Sequence, residues 1–178
     1  MRRQRRNAFI ILGAGAGLVL SIAAAGAWGG YRLNMTRSYP LGLWRIEVMQ
    51  REPNVGDIVF ICPPEVGAFE LALKRGYLPR GLCAGETGPL IKTVAALAGQ
   101  DIVVDGRVHI DGCLLDHSQL RTVDTAGRVL PAFAGGVVPT GNVFLHSRFP
   151  GSYDSRYFGP VPAAGILGFA RQILTFTP

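Results

Sequence analysis

The stretch PLIKTVAALAGQDIVVDGRVHIDG, residues 89–112, decides the fold. Apolar and β-branched residues dominate it, and aspartate is followed by glycine twice, at Asp105-Gly106 and Asp111-Gly112. Valine and isoleucine are stiff at χ1 and suit a pleated strand, whereas Asp-Gly supplies the backbone freedom of a tight hairpin. The reading is a strand DIVV, a two-residue turn, a strand RVHI and a second turn. Outward from this hairpin the pattern repeats. LWRIEVM and DIVFI read as strands around the turn REPNVGD, GNVFLH as another, and AGILGFARQIL as the last. The 24 glycines and 12 prolines in 178 residues fit a chain with many turns. PPEVGAFELALKRG breaks the pattern and predicts one short helix. Pro64 suits its first turn, Glu70 and Lys74 are spaced to meet on one face, and Gly76 is placed to stop it. LDHSQLRTVDTAGRVLP reads as a polar excursion and SRFPGSYDSRYFGPVP as a polar loop. The expected class is mostly β with one short helix, and residues 31–178 form one domain.

Ahead of that domain stand a basic arm, residues 1–7, and an apolar run, residues 8–30, with no charged residue from Asn7 to Tyr31. AFIILGAGAGLVLSIAAAGAW contains about 21 apolar residues, enough at ~1.5 Å per residue to cross a hydrocarbon core of ~30 Å. Arg2, Arg3, Arg5 and Arg6 precede it, which predicts a cytoplasmic N-terminus and a domain on the far side of the membrane. A cleaved signal peptide is the alternative, since small residues near Ala25 and Ala27 resemble a cleavage site. The formal net charge is +6, of which those four arginines supply most. The remainder carries about +2, so the charge marks topology and no nucleic-acid partner is expected. Of the three cysteines, Cys62 ends the apolar run DIVFIC and reads as a buried thiol. Cys83 and Cys113 lie in turn-rich segments where a bridge fits an oxidising compartment.

The candidate chemistry centres on NMTRSYPLGLW, residues 34–44. Pro40 fixes its own φ and pushes Tyr39 toward an extended conformation, so Ser38 is displayed on a stiff segment just beyond the apolar run. A displayed serine becomes a nucleophile only beside a base. Lys92 lies among Leu90, Ile91, Val94, Ala95 and Ala96. It either snorkels from a strand or is buried, and burial would lower its pKa toward a usable neutral amine. A second set is Ser38, His146 and Asp154. In SYDSRYFGPVP, Asp154 and Arg156 are two apart and would share one face of a strand, with Ser152 and Ser155 adding hydroxyls. No Cys/His spacing suggests a metal site and no Gly-rich loop suggests a phosphate, so no cofactor is expected.

TRSYPLGLW, GDIVF, LIKTVAALAG and GSYDSRYFGPVP, in that order after an apolar N-terminal run, resemble the boxes of type I signal peptidases. The closer resemblance is to the TraF-type conjugative-transfer branch, whose serine box is short. It implies a signal-peptidase-like β domain on a single transmembrane helix in the inner membrane, with the domain in the periplasm. It implies Ser38 as nucleophile, Lys92 as general base, Thr36 as a hydroxyl supporting the oxyanion, Ser152 as the residue orienting the lysine, and Asp154 braced by Arg156. Two departures stand out. Thr93 replaces the arginine that commonly follows the lysine, and His146-Ser147 stands where Gly-Asp is usual. The two losses are mutually consistent, since each removes a partner of the other.

The implied function is maturation of a pilin precursor or another secreted preprotein, with conjugative transfer machinery as a further partner. The acyl-enzyme could be resolved by water or by the pilin's own amine, which would close a circular pilin. The rivals are a general leader peptidase and, in another class, a non-catalytic anchored component of a pilus or secretion complex. Residues 29–37 span at most about 30 Å when extended, so Ser38 works close to the membrane face.

Overall fold

The computed structural model describes residues 2–176, Ala8 by its backbone alone. Met1 of the basic arm and residues 177 and 178 of the domain lie outside. The chain runs α1 (Arg2–Trp28), β1 (Tyr31–Asn34), β2 (Leu41–Glu47), β3 (Ile58–Ile61), α2 (Gly67–Lys74), β4 (Leu90–Leu97), β5 (Asp101–Val104) and β6 (Val108–Ile110). It continues through β7 (Cys113–Leu114), β8 (Gly136–Val137), β9 (Asn142–His146), α3 (Ser155–Phe158), β10 (Val161–Pro162) and β11 (Ile166–Phe176). The fold is mostly β. One sheet has seven strands in the order β1-β2-β11-β3-β4-β9-β10, and a second has four in the order β7-β6-β5-β8.

α1 is long and apolar enough to cross a membrane, and Phe9, Ile10, Leu18, Val19 and Ile22 on it are exposed. The basic arm is not a separate element, since Arg2–Trp28 is one continuous helix. The large sheet is covered on both faces near its centre, which is why β3 and β4 are nearly continuous apolar runs and not alternating ones. Val59, Ile61, Val94 and Leu145 pack with Phe69 and Ala72 of α2 in one cluster, while Phe60, Ile91 and Trp44 form a cluster of their own. A third cluster joins Ala96 and Phe144 to Ile102 and Val108 of the smaller sheet. β4 reaches both because its pairing with β9 slips between Val94 and Ala96, a bulge that re-aims the strand.

Several sequence expectations shift by small amounts. The turn between β5 and β6 holds three residues, since Val104 pairs with Val108. α2 begins at Gly67, later than Pro64, and ends where Gly76 takes φ +76°, with Tyr77 N–H donating to the Ala72 carbonyl. The short strands β1, β7, β8 and β10 and the helix α3 carry too few residues to show a period.

The cysteine pairing is corrected. Cys62 is bonded to Cys83, with Cα atoms 5.5 Å apart, and Cys113 is free and exposed on β7 at the edge of the smaller sheet. β3 carries Cys62 to the foot of α2, and the chain turns back after that helix to bring Cys83 alongside. Cys62 is therefore no buried thiol. A non-reduced peptide map should join the peptides holding Cys62 and Cys83 and leave Cys113 open to alkylation. The bridge closes a loop with a sequence separation of 21. Cys62→Ser should cost about 3 kcal/mol in a denaturant melt by chain entropy, and Cys113→Ser well under 1 kcal/mol.

Candidate active site

Ser38 sits in the loop between β1 and β2, and Asn34, the last residue of β1, builds that loop. The Asn34 amide Nδ2 donates to the carbonyls of Thr36, Tyr39 and Pro40, each at 3.0 Å, while its Oδ1 accepts from the Thr36 N–H at 3.1 Å. Trp44, fully buried, donates its indole N–H to the Pro40 carbonyl at 2.9 Å, and Ser147 Oγ donates to the Ser38 carbonyl at 2.7 Å. A short loop that cannot form a ladder is thus closed by side chains. Asn34 and Ser147 were not among the sequence candidates. An asparagine four residues before a displayed serine is the only signal that could have flagged the first.

Lys92 lies on β4 opposite Val59 and shares a face with Leu90 and Val94, whose side chains belong to the main apolar cluster. The alternation of the strand therefore carries its ammonium into the core, where it is 3% exposed. Its Nζ donates to Ser152 Oγ at 2.7 Å, and Ser38 Oγ donates to the same Ser152 oxygen at 3.3 Å. Burial lowers the Lys92 pKa to about 8. Asp154 pulls it back upward and Arg156 pushes it further down.

Asp154 and Arg156 meet at the start of α3, not on a strand. Asp154 is the N-cap of that helix and accepts from the Arg156 N–H. Both residues are fully buried. Arg156 Nε donates to Asp154 Oδ1 at 2.8 Å and its Nη2 to Oδ2 at 2.9 Å, a bidentate fork. The remaining guanidinium protons reach the Ser152 carbonyl at 3.1 Å and the Gln119 carbonyl at 2.9 Å. Burial alone would raise the Asp154 carboxyl, but the contacts from His146 and Arg156 outweigh it and hold the pKa below the usual range.

The set Ser38, His146 and Asp154 does not assemble. His146 Nδ1 lies 3.6 Å from Asp154 Oδ2, but its Nε2 faces the Asp116 backbone carbonyl at 3.2 Å and not Ser38. Thr36 Oγ donates to Asn34 Oδ1 at 2.8 Å, so its hydroxyl serves the loop in this state. Thr93 pairs across the ladder with His146. The Thr93 hydroxyl meets Tyr39 Oη at 2.5 Å, and burial pushes the Tyr39 phenol up to about 12, so it stays a donor. Thr93, where the resemblance would put an arginine, is thus paired with the Tyr39 phenol, and Ser147 is given to the Ser38 carbonyl. The arrangement offers one hydroxyl poised beside a second, an amine whose pKa burial brings down to about 8, and no metal-like cluster among the described residues.

A family model described as "Signal peptidase, peptidase S26" matches residues 4–175. The conjugal transfer protein TraF of Agrobacterium tumefaciens (strain 15955) is 53% identical over 175 residues, 98% of this chain and 99% of that one. A plasmid transfer protein TraF of Escherichia coli is 38% identical over 180 residues, 98% of this chain and 99% of its own. A crystal structure of a signal peptidase I from Enterococcus faecalis V583 gives a TM-score of 0.40 at 19% identity, covering 69% of this chain and 98% of that one, a likeness too distant to carry an argument. By the family match and by these relatives over nearly its whole length, the chain belongs to the S26 signal peptidase family, in the company of the TraF transfer proteins.

Proposed function

We propose that the protein is a membrane-anchored Ser/Lys endopeptidase that matures a pilin precursor for conjugative transfer. One observation carries the reading: a lysine desolvated to a pKa near 8 joined to Ser38 through a single hydroxyl. Neutral Lys92 takes a proton from Ser152 as Ser152 takes the Ser38 hydroxyl proton or, after a small rotation, takes it from Ser38 directly. The Ser38 Oγ attacks the scissile carbonyl and a new C–O bond forms. The tetrahedral oxyanion is met by the Ser38 N–H and by the Thr36 hydroxyl once it leaves Asn34. Lys92, now an ammonium, protonates the departing amine as the C–N bond breaks. The chain is left as a Ser38 ester, and Lys92 is neutral again for the second half of the reaction. Asp154 and Arg156 hold Ser152 in place and do not touch the reacting atoms.

Anchoring supports the substrate class. β1 starts at Tyr31, three residues after the last residue of α1. Gly29 N–H donates to the Ala25 carbonyl and Ile46 N–H to the Gly30 carbonyl, so the helix is tied into the sheet and not hung on a leash. Leu33 and Leu174, both exposed, flank Leu43 across neighbouring strands on the same side. That apolar face suits a membrane surface beside the anchor. The four arginines place the N-terminus in the cytoplasm and the domain in the periplasm. A substrate that is itself membrane-held would present its cleavage site at this height. The names of the relatives favour conjugation over a general leader peptidase.

Ser38→Ala should abolish processing, with a loss of roughly 10³-fold or more, while the thermal midpoint stays within a few degrees. Lys92→Arg should be equally inactive because guanidinium stays protonated. Labelling of Ser38 by an active-site serine probe separates an enzyme from a non-catalytic anchored component. His146→Ala should keep most of its activity, and a loss equal to that of Ser38→Ala would overturn the assignment of Lys92. The acylation rate should rise with pH through about 8 and then level off, tracking neutral Lys92.

Stability follows the same titration. The folded pKa is near 8 and the ordinary value is 10.5, so the unfolded chain binds more protons between those limits. Stability therefore rises with pH across that window, and below pH 8 the full penalty, up to about 3 kcal/mol, stands. Lys92→Met should remove that penalty and raise the melting midpoint at pH 7 by roughly 5–10 °C while killing activity.

Resolution of the ester by the pilin's own amine would gain from the effective molarity of a held nucleophile. Mass spectrometry of the mature product reads it. A circular pilin is about one water lighter than the linear fragment and has no free N-terminus.

A further inference from the structure

The polar excursion after β7 packs Leu115 and Leu120 on the third core cluster and meets Arg156 through the Gln119 carbonyl, but its tip, residues 121–130, has no part in either and is still held firmly. Asp124 accepts from Tyr77 Oη at 2.5 Å, from Arg128 Nε at 2.6 Å, and from the N–H groups of Ala126 and Arg128 at 2.9 Å each. Arg75, just after α2, donates to the Val129 carbonyl at 2.8 Å. These contacts pin residues 121–130 against the C-terminal end of α2. Between the two lies a cavity of about 240 Å³ that opens to solvent. Val123 and Leu130 of the excursion line it together with Tyr77, Tyr153, Tyr157 and Ser152. Ser152 is the residue whose Oγ contacts both Ser38 and Lys92.

The chemistry of the lining selects its occupant. The tyrosine hydroxyls are already engaged: Tyr77 with Asp124, Tyr153 with the Ala68 carbonyl at 3.3 Å, and Tyr157 with the Arg121 N–H at 3.1 Å. Ring surface is what remains, and the Tyr153 and Tyr157 rings lie nearly parallel at 5.7 Å. Among the described residues the one carboxylate lining the space, Asp124, is paired with Arg128, and the lining residue Arg121 is exposed. A cation would meet no unpaired carboxylate there, and the Arg128 and Arg156 guanidinium groups already lie over the Tyr77 and Tyr157 rings. A cavity of ~150 Å³ suffices for a benzene ring, so this one admits an aromatic side chain. Aromatic pairs add about 0.5–1.5 kcal/mol beyond the area they bury.

We infer that this cavity is a substrate subsite for one bulky aromatic or large apolar side chain, placed within about three residues of the scissile bond. The inference rests on the peptidase reading above. The limit on position follows from the residue the two places share: Ser152 is among the lining residues and its Oγ lies 3.3 Å from Ser38 Oγ, and an extended substrate advances ~3.3 Å per residue. The cavity would thus add a positive requirement for a large side chain at one flanking position, and the excursion would be a specificity wall.

The test uses the full chain in detergent micelles and internally quenched peptides with alanine before the scissile bond. A single phenylalanine is scanned through the three positions on either side, against an all-alanine parent. One position is expected to show kcat/KM about tenfold higher for phenylalanine than for alanine. That ratio should fall to near one in Val123→Trp and in Thr125→Trp, surface residues whose enlargement fills the space. Equilibrium binding of the same peptides to the Ser38→Ala chain reads the ratio without turnover. Wild-type protein that cleaves no peptide but binds the phenylalanine peptide tenfold better through Val123 would sink the peptidase reading and keep the subsite. No preference at any position, or a preference untouched in both filled variants, overturns the subsite.

Discussion

The structure depends on a buried arithmetic of charge: one carboxylate, Asp154, faces two cations, Arg156 and Lys92, in a space that water does not reach. Arg156 satisfies the carboxylate with a bidentate fork and donates its other protons to backbone carbonyls. An ion pair of that kind is costly to desolvate and contributes little net stability, but losing either partner leaves an uncompensated charge. Its consequence lies elsewhere. Burial does most to lower the Lys92 pKa to about 8, Asp154 draws it back upward, and the Arg156 guanidinium pushes it down again. The same guanidinium fixes the Ser152 carbonyl, so the group that disfavours the lysine proton also positions the hydroxyl that Lys92 contacts. Phe133 N–H donates to the Arg156 carbonyl and Gln119 accepts from its side chain, which ties the start and the end of the excursion to the same residue.

The strands that set this geometry were legible because they are long and apolar. Residues 89–112 announce β4, β5 and β6, and the lone lysine in that run marks Lys92 before any coordinates are seen. A sequence cannot say on which side of a strand a charged residue falls unless the partner strand is known. Here the pairing of Lys92 with Val59 turned an ambiguous snorkelling lysine into a buried one. The fork between Asp154 and Arg156 was visible as spacing, but its setting was not. Two residues apart suits a strand face, yet the pair forms across a helix N-cap, because four residues of helix leave no periodic trace. The cysteines failed for a related reason. Turn-rich context says where a bridge is tolerated, not which Cα atoms come within 5.5 Å, and that was settled by the path of α2.

The Ser38 loop shows how little sequence a site can need. Its backbone groups are claimed by Asn34 at the end of β1, Trp44 in the middle of β2 and Ser147 just after β9. None of the three is unusual in composition, so only the assembled fold discloses them. The carbonyls of Thr36, Ser38, Tyr39 and Pro40 are each met by a side chain, and in the proposed role a nucleophile held in this way would lose little orientational freedom when a substrate arrives.

The junction between anchor and domain follows from the same economy of backbone groups. Gly30 takes φ +71°, and a Cβ there would lie 2.8 Å from the Ile46 carbonyl oxygen, so the chain can leave the helix and enter β1 at once only through glycine. Arg45 Nε donates to the Gly29 carbonyl at 3.1 Å, and Arg32 Nη1 donates to the Tyr31 carbonyl at 2.8 Å. Without that turn a spacer would be needed, and the height of Ser38 above the helix end would become a distribution instead of a value. On the proposed reading, a fixed height would favour substrates whose cleavage site is itself held at the bilayer surface and disfavour loops displayed further out. Selectivity would then be shared between the side chains around Ser38 and the length of the connection that carries it, and that connection is Gly29-Gly30.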